Sequence, residues 1–279
     1  MSRSETPKGR RRPPARRAQT LRPPNPRAME ARAAPLTAED QAFVRSLLIF
    51  EDETLLAFNK PGGLPVQTRN PDDRTLDMLL RAFERSNGRR PRLVHRLDAQ
   101  TSGVILAART QPAAAALSEA FAGRSVSKTY LCLASGPDLT TDEGEIDIPL
   151  ARYRLRPELE LMRAARPGDE DVKTARTSWR RLASKGRFHL LSVRPQTGRM
   201  HQIRVHLSLI GYPIAGDPYY GGTSGIGNEA FERLMLHAYR LSAPHPSGGR
   251  FGLHADPPAD FSAALARAGL QLASEVEGR

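Results

Sequence analysis

Residues His95-Arg96-Leu97-Asp98-Ala99-Gln100-Thr101-Ser102-Gly103 place a carboxylate, a basic pair and a turn signal within nine positions. We expect a strand to end near Asp98, a turn over 101–103, and a second strand over 104–108. This order presents one acid on a tight loop that a substrate can reach, with positive charge beside it. Most acids that neighbour an arginine are structural ion pairs, so the rest of the chain has to decide whether this acid is functional.

The apolar pattern on both sides of this loop predicts short strands and a few helices. Strands are expected over 48–59 with a turn at 51–53, over 93–108 around the Asp98 loop, and over 128–134, 146–150, 173–182, 188–194 and 234–241. Helices are expected over 75–83, 110–123, 199–210 and 260–270, the third ending at Gly211. Strands outnumber long helices without regular alternation. We therefore predict an α+β fold, a mixed or antiparallel sheet with flanking helices and loops.

Two stretches do not follow these patterns. Residues 152–171 are charged and interrupted by proline and glycine, which indicates a surface excursion. Residues 221–227 form a glycine-rich loop that no periodic pattern explains.

The charge of the chain is concentrated at one end. The formal net charge is +12 with a pI near 10.6, which indicates a polyanionic partner. Residues 1–35 carry ten Lys and Arg against two acids, a net charge of +8, which leaves +4 for the other 244 residues. The remainder of the chain is thus mildly basic, and any affinity for a polyanion there has to come from local patches.

Residues 1–40 are predicted to be a basic, Arg/Pro-rich disordered tail, followed by one domain over 41–279. The tail could add phosphate contacts, act only as a solubilising extension, or serve as a mitochondrial presequence. Prolines at 13, 14, 23, 24 and 26 oppose the amphipathic helix of a presequence. Met29 offers a second translation start, so the start site stays open between Met1 and Met29.

Cys132 is the only cysteine, so an intramolecular disulfide is impossible. We expect it to be a small buried residue and the protein to be cytoplasmic, in a reducing setting. No apolar run is long enough to suggest a membrane span.

Four ordered segments resemble motifs of the RluA-type pseudouridine synthases. They are Lys60–Val66, His95–Gly103, Lys128–Tyr130 and Arg194–Leu207. The match continues through Gly211, Asp217–Gly221 and Leu236–Ala238, and covers about residues 45–270. The resemblance implies that 41–279 is a pseudouridine-synthase-like catalytic domain. It also implies an isomerase that converts uridine in RNA to pseudouridine without a cofactor.

The resemblance assigns three catalytic residues. Asp98 is the catalytic carboxylate, acting as a nucleophile or by a glycal route. Arg204 pairs with it, and its bidentate fork suits a carboxylate. Tyr130 stacks on the flipped uracil and its phenol oxygen could assist proton removal. Without the motif, Tyr130 would be taken for a core aromatic residue on a strand.

Four further residues are assigned to substrate binding. Arg96 takes the place of the extruded base or grips the backbone. Leu207 closes the pocket, although ordinary helix packing explains it nearly as well. Lys60 and His95, which lie within the matched motifs, are the other two.

The histidines do not indicate a metal site. His201 and His206 are five residues apart, which does not place them on one helical face, and no His-Glu-x-x-His pattern exists. With one cysteine, a thiolate zinc site is excluded. We interpret His95, His201, His206 and His237 as hydrogen-bonding core or phosphate-side residues and predict no metal.

Two other functions compete with the synthase. A noncatalytic RNA-binding or RNA-chaperone protein on the same fold would not need Asp98, Tyr130 and Arg204 together. A hydrolase or nuclease using metal at Asp98 lacks a second carboxylate near that motif. We expect a monomer without a separate N-terminal RNA-binding module, acting on a stem-loop of large-subunit rRNA, of tRNA, or of both.

Overall fold

The computed structural model describes residues 35–68, 70, 73–157, 159–227 and 229–272 of the 279-residue chain. The described residues from Leu36 onward cluster as one compact unit. It opens with helix α1, Ala38–Ser46, whose N-cap Thr37 accepts a hydrogen bond from the Asp40 N–H. The predicted boundary at residue 40 therefore falls within a helix. Residues 1–34 of the predicted tail lie outside the described residues.

The described strands are β1 (Leu48–Glu51), β2 (Leu55–Lys60), β3 (Arg92–Leu93), β4 (Ser102–Ala108), β5 (Ser127–Ser135), β6 (Glu143–Asp147), β7 (Leu150–Arg156), β8 (Leu159–Ala164), β9 (Arg176–Lys185), β10 (Phe188–Pro195), β11 (Gly225–Ile226), β12 (Glu229–Ala230), β13 (Leu236–Pro244) and β14 (Arg250–His254). The other helices are α2 (Leu76–Leu79), which continues as a 3₁₀ turn over Leu80–Phe83, α3 (Gln111–Ala122), α4 (Gln202–Leu209) and α5 (Ala259–Arg267).

One large sheet organises the molecule. Its ten strands follow the order β1-β2-β4-β13-β5-β10-β9-β6, with β3 paired to β4 and β14 to β13. The pair β4–β13 is parallel and the other pairs of this sheet are antiparallel. The predicted α+β fold with a mixed sheet and flanking helices is therefore confirmed.

Strand β4 is buried at every position because helices cover both faces of the sheet there. Ile105 and Ala107 pack with α2 and its 3₁₀ turn on one face, whereas Val104 and Leu106 pack with α3 on the other. Helices α4 and α5 cover the sheet around β5, β10 and β13. The strand that follows the Asp98 loop is thus held from both sides, which fixes where that loop ends.

The local prediction for the Asp98 loop was wrong in two details. Strand β3 ends at Leu93, so residues 94–98 are irregular, and the turn lies at Ala99 and Gln100. Ser102 and Gly103 already belong to β4 because they pair with β13, a strand far away in sequence. Local pattern could not show this pairing.

The two irregular stretches also contain strands. Residues 152–171 include most of the hairpin β7–β8, a separate two-stranded sheet, and 221–230 include the short pair β11–β12. In the hairpin, arginines point outward while apolar side chains such as Leu161 and Met162 are buried. The density of charge in this stretch concealed the strands in the sequence. Among the described residues, no helix combines the length and apolar character needed to cross a membrane.

Candidate active site

A buried lysine supports the loop that carries Asp98. The ammonium of Lys60 donates hydrogen bonds to the carbonyl oxygens of Pro61 (2.8 Å), Leu64 (2.9 Å) and Ala99 (2.9 Å). Burial, with a smaller contribution from Arg233, lowers the pKa of Lys60 to about 7. The lysine is fully enclosed beneath the loop and does not line the cleft described below. This geometry favours a structural role over the predicted substrate contact.

The far end of the loop is fixed by the parallel pair β4–β13. Gly103 has φ +110°, and a Cβ there would lie 2.2 Å from the carbonyl oxygen of Ala238. Beside it, the Ser102 hydroxyl lies 2.9 Å from His237 Nδ1, while His237 Nε2 donates to the Ala255 carbonyl at 2.8 Å. Burial lowers the pKa of His237 to about 4, which keeps this ring neutral. Only glycine allows the two strands to approach so closely.

Arg233 is a third support that sequence reasoning missed. Its Nε and Nη2 bind Asp260, and its Nη1 lies 3.4 Å from the carbonyl oxygen of Gln100. A Cβ at Gly62 would lie 2.2 Å from Arg233 Cδ, so the arginine also packs against the Lys60–Pro65 loop. No motif around Arg233 marks it in the sequence.

Asp98 projects from this framework toward helix α4. Its side chain is 25% exposed, and Oδ2 lies 3.3 Å from Arg204 Nη1 and 3.7 Å from His201 Nε2. The predicted pairing of Asp98 with Arg204 is thus present, but through one nitrogen only.

The bidentate fork of Arg204 binds a different carboxylate. Nε and Nη2 donate to the two oxygens of Asp217 at 2.8 and 2.9 Å. Asp217 also accepts the N–H groups of Tyr219 (3.0 Å) and Tyr220 (3.3 Å), and its side chain is fully buried. The sequence predicted that Arg204 binds Asp98 through two nitrogens, and this prediction was wrong. The bidentate partner is Asp217, which faces the edge of the guanidinium formed by Nε and Nη2.

Asp217 makes it possible to bury the charge of Arg204. Burial would lower the pKa of Arg204, but the hydrogen bonds and charge of Asp217, together with the charge of Asp98, raise it. The sequence contained Asp217 in a matched segment, but no role followed from that match.

Tyr130 lies on β5 in the wall of the cleft. Burial and the charge of Asp98 raise its pKa, so the phenol is protonated at neutral pH. Tyr130 can offer a flat surface and a hydrogen-bond donor. Its assistance in removing a uracil proton stays a prediction.

Arg96 and His95 differ in their surroundings. Arg96 is exposed and lines the cleft. His95 also borders the cleft, but its Nε2 accepts the Leu106 N–H at 2.9 Å and its ring stacks on Phe121 at 4.4 Å. Burial, with the charge of Lys128, lowers the pKa of His95 to about 3. A neutral ring engaged in this way fixes the start of the Asp98 loop against β4.

Leu207 does not border the cleft. It is fully buried in the apolar cluster between helix α4 and the sheet, together with residues such as Ile203 and Leu191. Its position therefore agrees with ordinary helix packing, the alternative to a role in closing the pocket.

The cleft has a volume of about 1040 Å³ and is strongly cationic. Besides Arg204, its lining includes Arg96, Arg124, Lys128, Arg152, Arg194 and Arg199. Among the described lining residues, Asp98 is the only acid. In the described ranges, no group of three or more His, Cys, Asp or Glu side chains could hold a metal ion. The arrangement suits a polyanion that presents one reacting group to one carboxylate.

Comparison with known proteins agrees with this geometry. The family model described as RNA pseudouridylate synthase matches residues 54–209. The chain belongs to this family. It is therefore an RNA pseudouridine synthase by family, an isomerase that acts on RNA.

Individual relatives extend the match. The chain is 36% identical over 228 residues to the ribosomal large subunit pseudouridine synthase D of Zymomonas mobilis, covering 77% of this chain and 70% of that protein. It is 39% identical over 196 residues to an uncharacterised RNA pseudouridine synthase of the same organism, covering 70% and 85%. The solved structure of human RNA pseudouridylate synthase domain containing 4 superposes with a TM-score of 0.68 at 25% identity, covering 84% of this chain and 98% of that one.

Proposed function

We propose that this protein converts specific uridines of structured RNA into pseudouridine with Asp98 as the catalytic residue. One observation carries the proposal: the single carboxylate of the described cleft lining stands among cations, where an RNA backbone would bring a ribose to it.

The reaction breaks the bond between ribose C1′ and uracil N1, turns the base, and joins C1′ to uracil C5, whose proton is lost while N1 gains one. It needs no redox partner. A lone carboxylate can serve in two ways. It can attack C1′ to form a covalent intermediate, or remove the C2′ proton to give a glycal-like intermediate.

Neighbouring residues supply the remaining requirements. Arg204 Nη1, 3.3 Å from Oδ2, attracts and orients the carboxylate. Arg96, exposed in the cleft, takes the place of the uridine when it leaves its stack. Tyr130 offers the flat, protonated surface on which the uracil ring turns.

Large-subunit rRNA is the first substrate candidate, because the relative from Zymomonas mobilis is named for that RNA. Stem-loops of tRNA are the second. A base in a loop is easier to extract than one in a helix. We further propose that the enzyme acts in the cytoplasm as a monomer.

Pseudouridine mapping of rRNA and tRNA tests this proposal. Cells lacking the gene should lose one or a few pseudouridines, which the wild-type gene restores and Asp98→Asn does not. Asp147→Asn, at a half-exposed acid that pairs with Arg176 on an edge strand, is the matched control and should restore them. If Asp98→Asn restored all of the lost pseudouridines, Asp98 would not be the catalytic residue. No lost site in either RNA class would favour a noncatalytic RNA-binding protein.

A further inference from the structure

His201 has a backbone conformation that few residues adopt. It lies immediately before helix α4 with φ 53° and ψ 17°, in the left-handed region. Non-glycine residues are strained there, and such strain persists only where the surrounding structure enforces it. The side chain of His201 makes no capping hydrogen bond to α4. The conformation instead turns the imidazole into the cleft, where the side chain is only 15% exposed.

The hydrogen bonds around Tyr220 bear on which nitrogen of His201 carries the proton. Nδ1 lies 2.9 Å from the hydroxyl of Tyr220, and that hydroxyl accepts the Met162 N–H at 3.0 Å. The hydroxyl has one lone pair engaged by Met162, and its proton can point at Nδ1. In that arrangement the imidazole proton is on Nε2, which faces Asp98 Oδ2. This tautomer is favoured because it places an N–H, rather than a lone pair, opposite a carboxylate oxygen.

The same ring is neutral at physiological pH. Burial lowers the pKa of His201, and the charge of Asp98 only partly opposes this effect. His201 therefore offers Asp98 a directed N–H donor, whereas Arg204 offers it a charge.

We propose that His201 is a positioning residue for Asp98, with Tyr220 setting its tautomer. In the free protein the Nε2–Oδ2 distance of 3.7 Å is too long for a hydrogen bond. Catalytic hydrogen bonds are commonly long in the absence of substrate and shorten in the complex. When RNA binds, the Nε2–H of His201 moves within hydrogen-bond distance of Asp98 Oδ2. Arg204 and His201 then both donate to that oxygen. The other oxygen, Oδ1, is then presented to the sugar. This inference deepens the proposed function and rests on it.

Two substitutions at His201 separate the side chain from the strained backbone. Asparagine accepts the left-handed conformation but is too short to place a donor at Nε2. Glutamine reaches that position with an N–H donor. Rates are measured in a single turnover on unmodified large-subunit rRNA transcripts labelled with tritium at uracil C5, since pseudouridine formation releases that hydrogen.

His201→Asn should lower the single-turnover rate by about 10- to 100-fold, the cost of a misplaced reacting group. His201→Gln should recover part of that loss. Affinity for the same transcript and the melting temperature should stay close to wild type in both. A wild-type rate in His201→Asn, or a loss confined to affinity or melting temperature, would overturn the inference.

Tyr220→Phe removes only the hydroxyl that sets the tautomer and should also slow the single turnover. If a His201 variant does not fold, the single-turnover rate of Tyr220→Phe tests the inference in its place. Tyr212→Phe is the matched control: its hydroxyl reaches the Asp138 carbonyl at 3.5 Å, away from the cleft, and its rate should match wild type. Equal rates in both tyrosine variants would count against the proposal.

Nitrogen-15 NMR of the histidine rings gives a readout independent of activity. The signals of His201, identified by their absence in His201→Asn, should show a protonated Nε2 and an unprotonated Nδ1. Tyr220→Phe should shift this equilibrium. A protonated Nδ1 in wild type would overturn the inference whatever the kinetics. If wild type releases no tritium from any RNA, the proposed function fails instead.

Discussion

Arg204 donates two hydrogen bonds to Asp217, at 2.8 and 2.9 Å, and thereby directs its remaining nitrogen, Nη1, toward Asp98. Buried Asp217 thus neutralises and orients Arg204, and Arg204 in turn orients the partly exposed Asp98. The arrangement explains how a cation is held in a largely buried position without closing the cleft.

Asp217→Asn should impair both stability and catalysis. The amide cannot replace two charge-assisted hydrogen bonds, and it leaves the buried guanidinium with only the longer contact to Asp98, at 3.3 Å, as a counter-charge. We expect the free energy of unfolding to fall by about 3–5 kcal/mol, with a loss of single-turnover rate in the fraction that remains folded. Urea denaturation measures the first effect. Glu53→Gln, which breaks the exposed pair with Arg85, should cost less than about 1 kcal/mol. Similar costs for the two variants would contradict this account of Asp217.

Gly103→Ala should disrupt the Asp98 loop. The new methyl group would meet the Ala238 carbonyl at 2.2 Å in a backbone with φ +110°. We expect a loss of about 3–5 kcal/mol from strain and overpacking together. Gly168→Ala has a similar φ of +87° but open space around its Cβ, so it should cost only about 1 kcal/mol. Equal melting temperatures for the two variants would show that the close strand approach is unimportant.

Lys60 should make stability depend on pH above neutrality. Its pKa is about 7 in the folded protein and 10.5 unperturbed. Between these values the unfolded chain holds a proton that the folded protein has released, so the free energy of unfolding rises with pH by up to about 1.4 kcal/mol per unit. Below pH 7 the lysine is protonated in both states and contributes no slope. Denaturation at pH 6, 7.5 and 9 should show a rise that Lys60→Met lacks. Parallel profiles for the two proteins would refute the assignment.

Arg194→Gln should weaken RNA binding chiefly at low salt. Arg194 is exposed and lines the cleft, where it can contact one phosphate. Losing one such contact lowers the slope of log affinity against log salt by about 0.7–0.9. Filter binding of an rRNA transcript across a salt series measures this slope. Arg85→Gln, outside the cleft and paired with Glu53, should leave it unchanged. If the two variants give the same slope, the cleft is not where phosphates bind.

Sequence reasoning brought five of the predicted site residues to one cleft. His95, Arg96 and Asp98 share one segment, and Tyr130 and Arg204 come from two others. The ordered motifs were enough to group these residues, because each motif corresponds to a local structure that resembles one in the family. The roles of these residues remain predictions, and Asp98→Asn tests the one assigned to Asp98.

What the sequence did not show depends on contacts between distant elements. The preference of Arg204 for Asp217 follows from where the turn after α4 places that acid. Nothing in the local sequence indicates that Lys60 is buried, because its burial depends on the carbonyl oxygen of Ala99, 39 residues away. No local pattern marks the positive φ of His201. Apolar periodicity reports which face of an element is buried, but not which polar groups meet there.

The parallel strand pair that shapes the Asp98 loop joins Ser102 to His237, 135 residues later in the chain. During synthesis, Asp98 leaves the ribosome long before β13 exists to pair with β4. A nascent chain therefore carries Asp98 on an unfinished loop until residues 236–244 have emerged, so this part of the cleft takes its shape only after β13 has been synthesised.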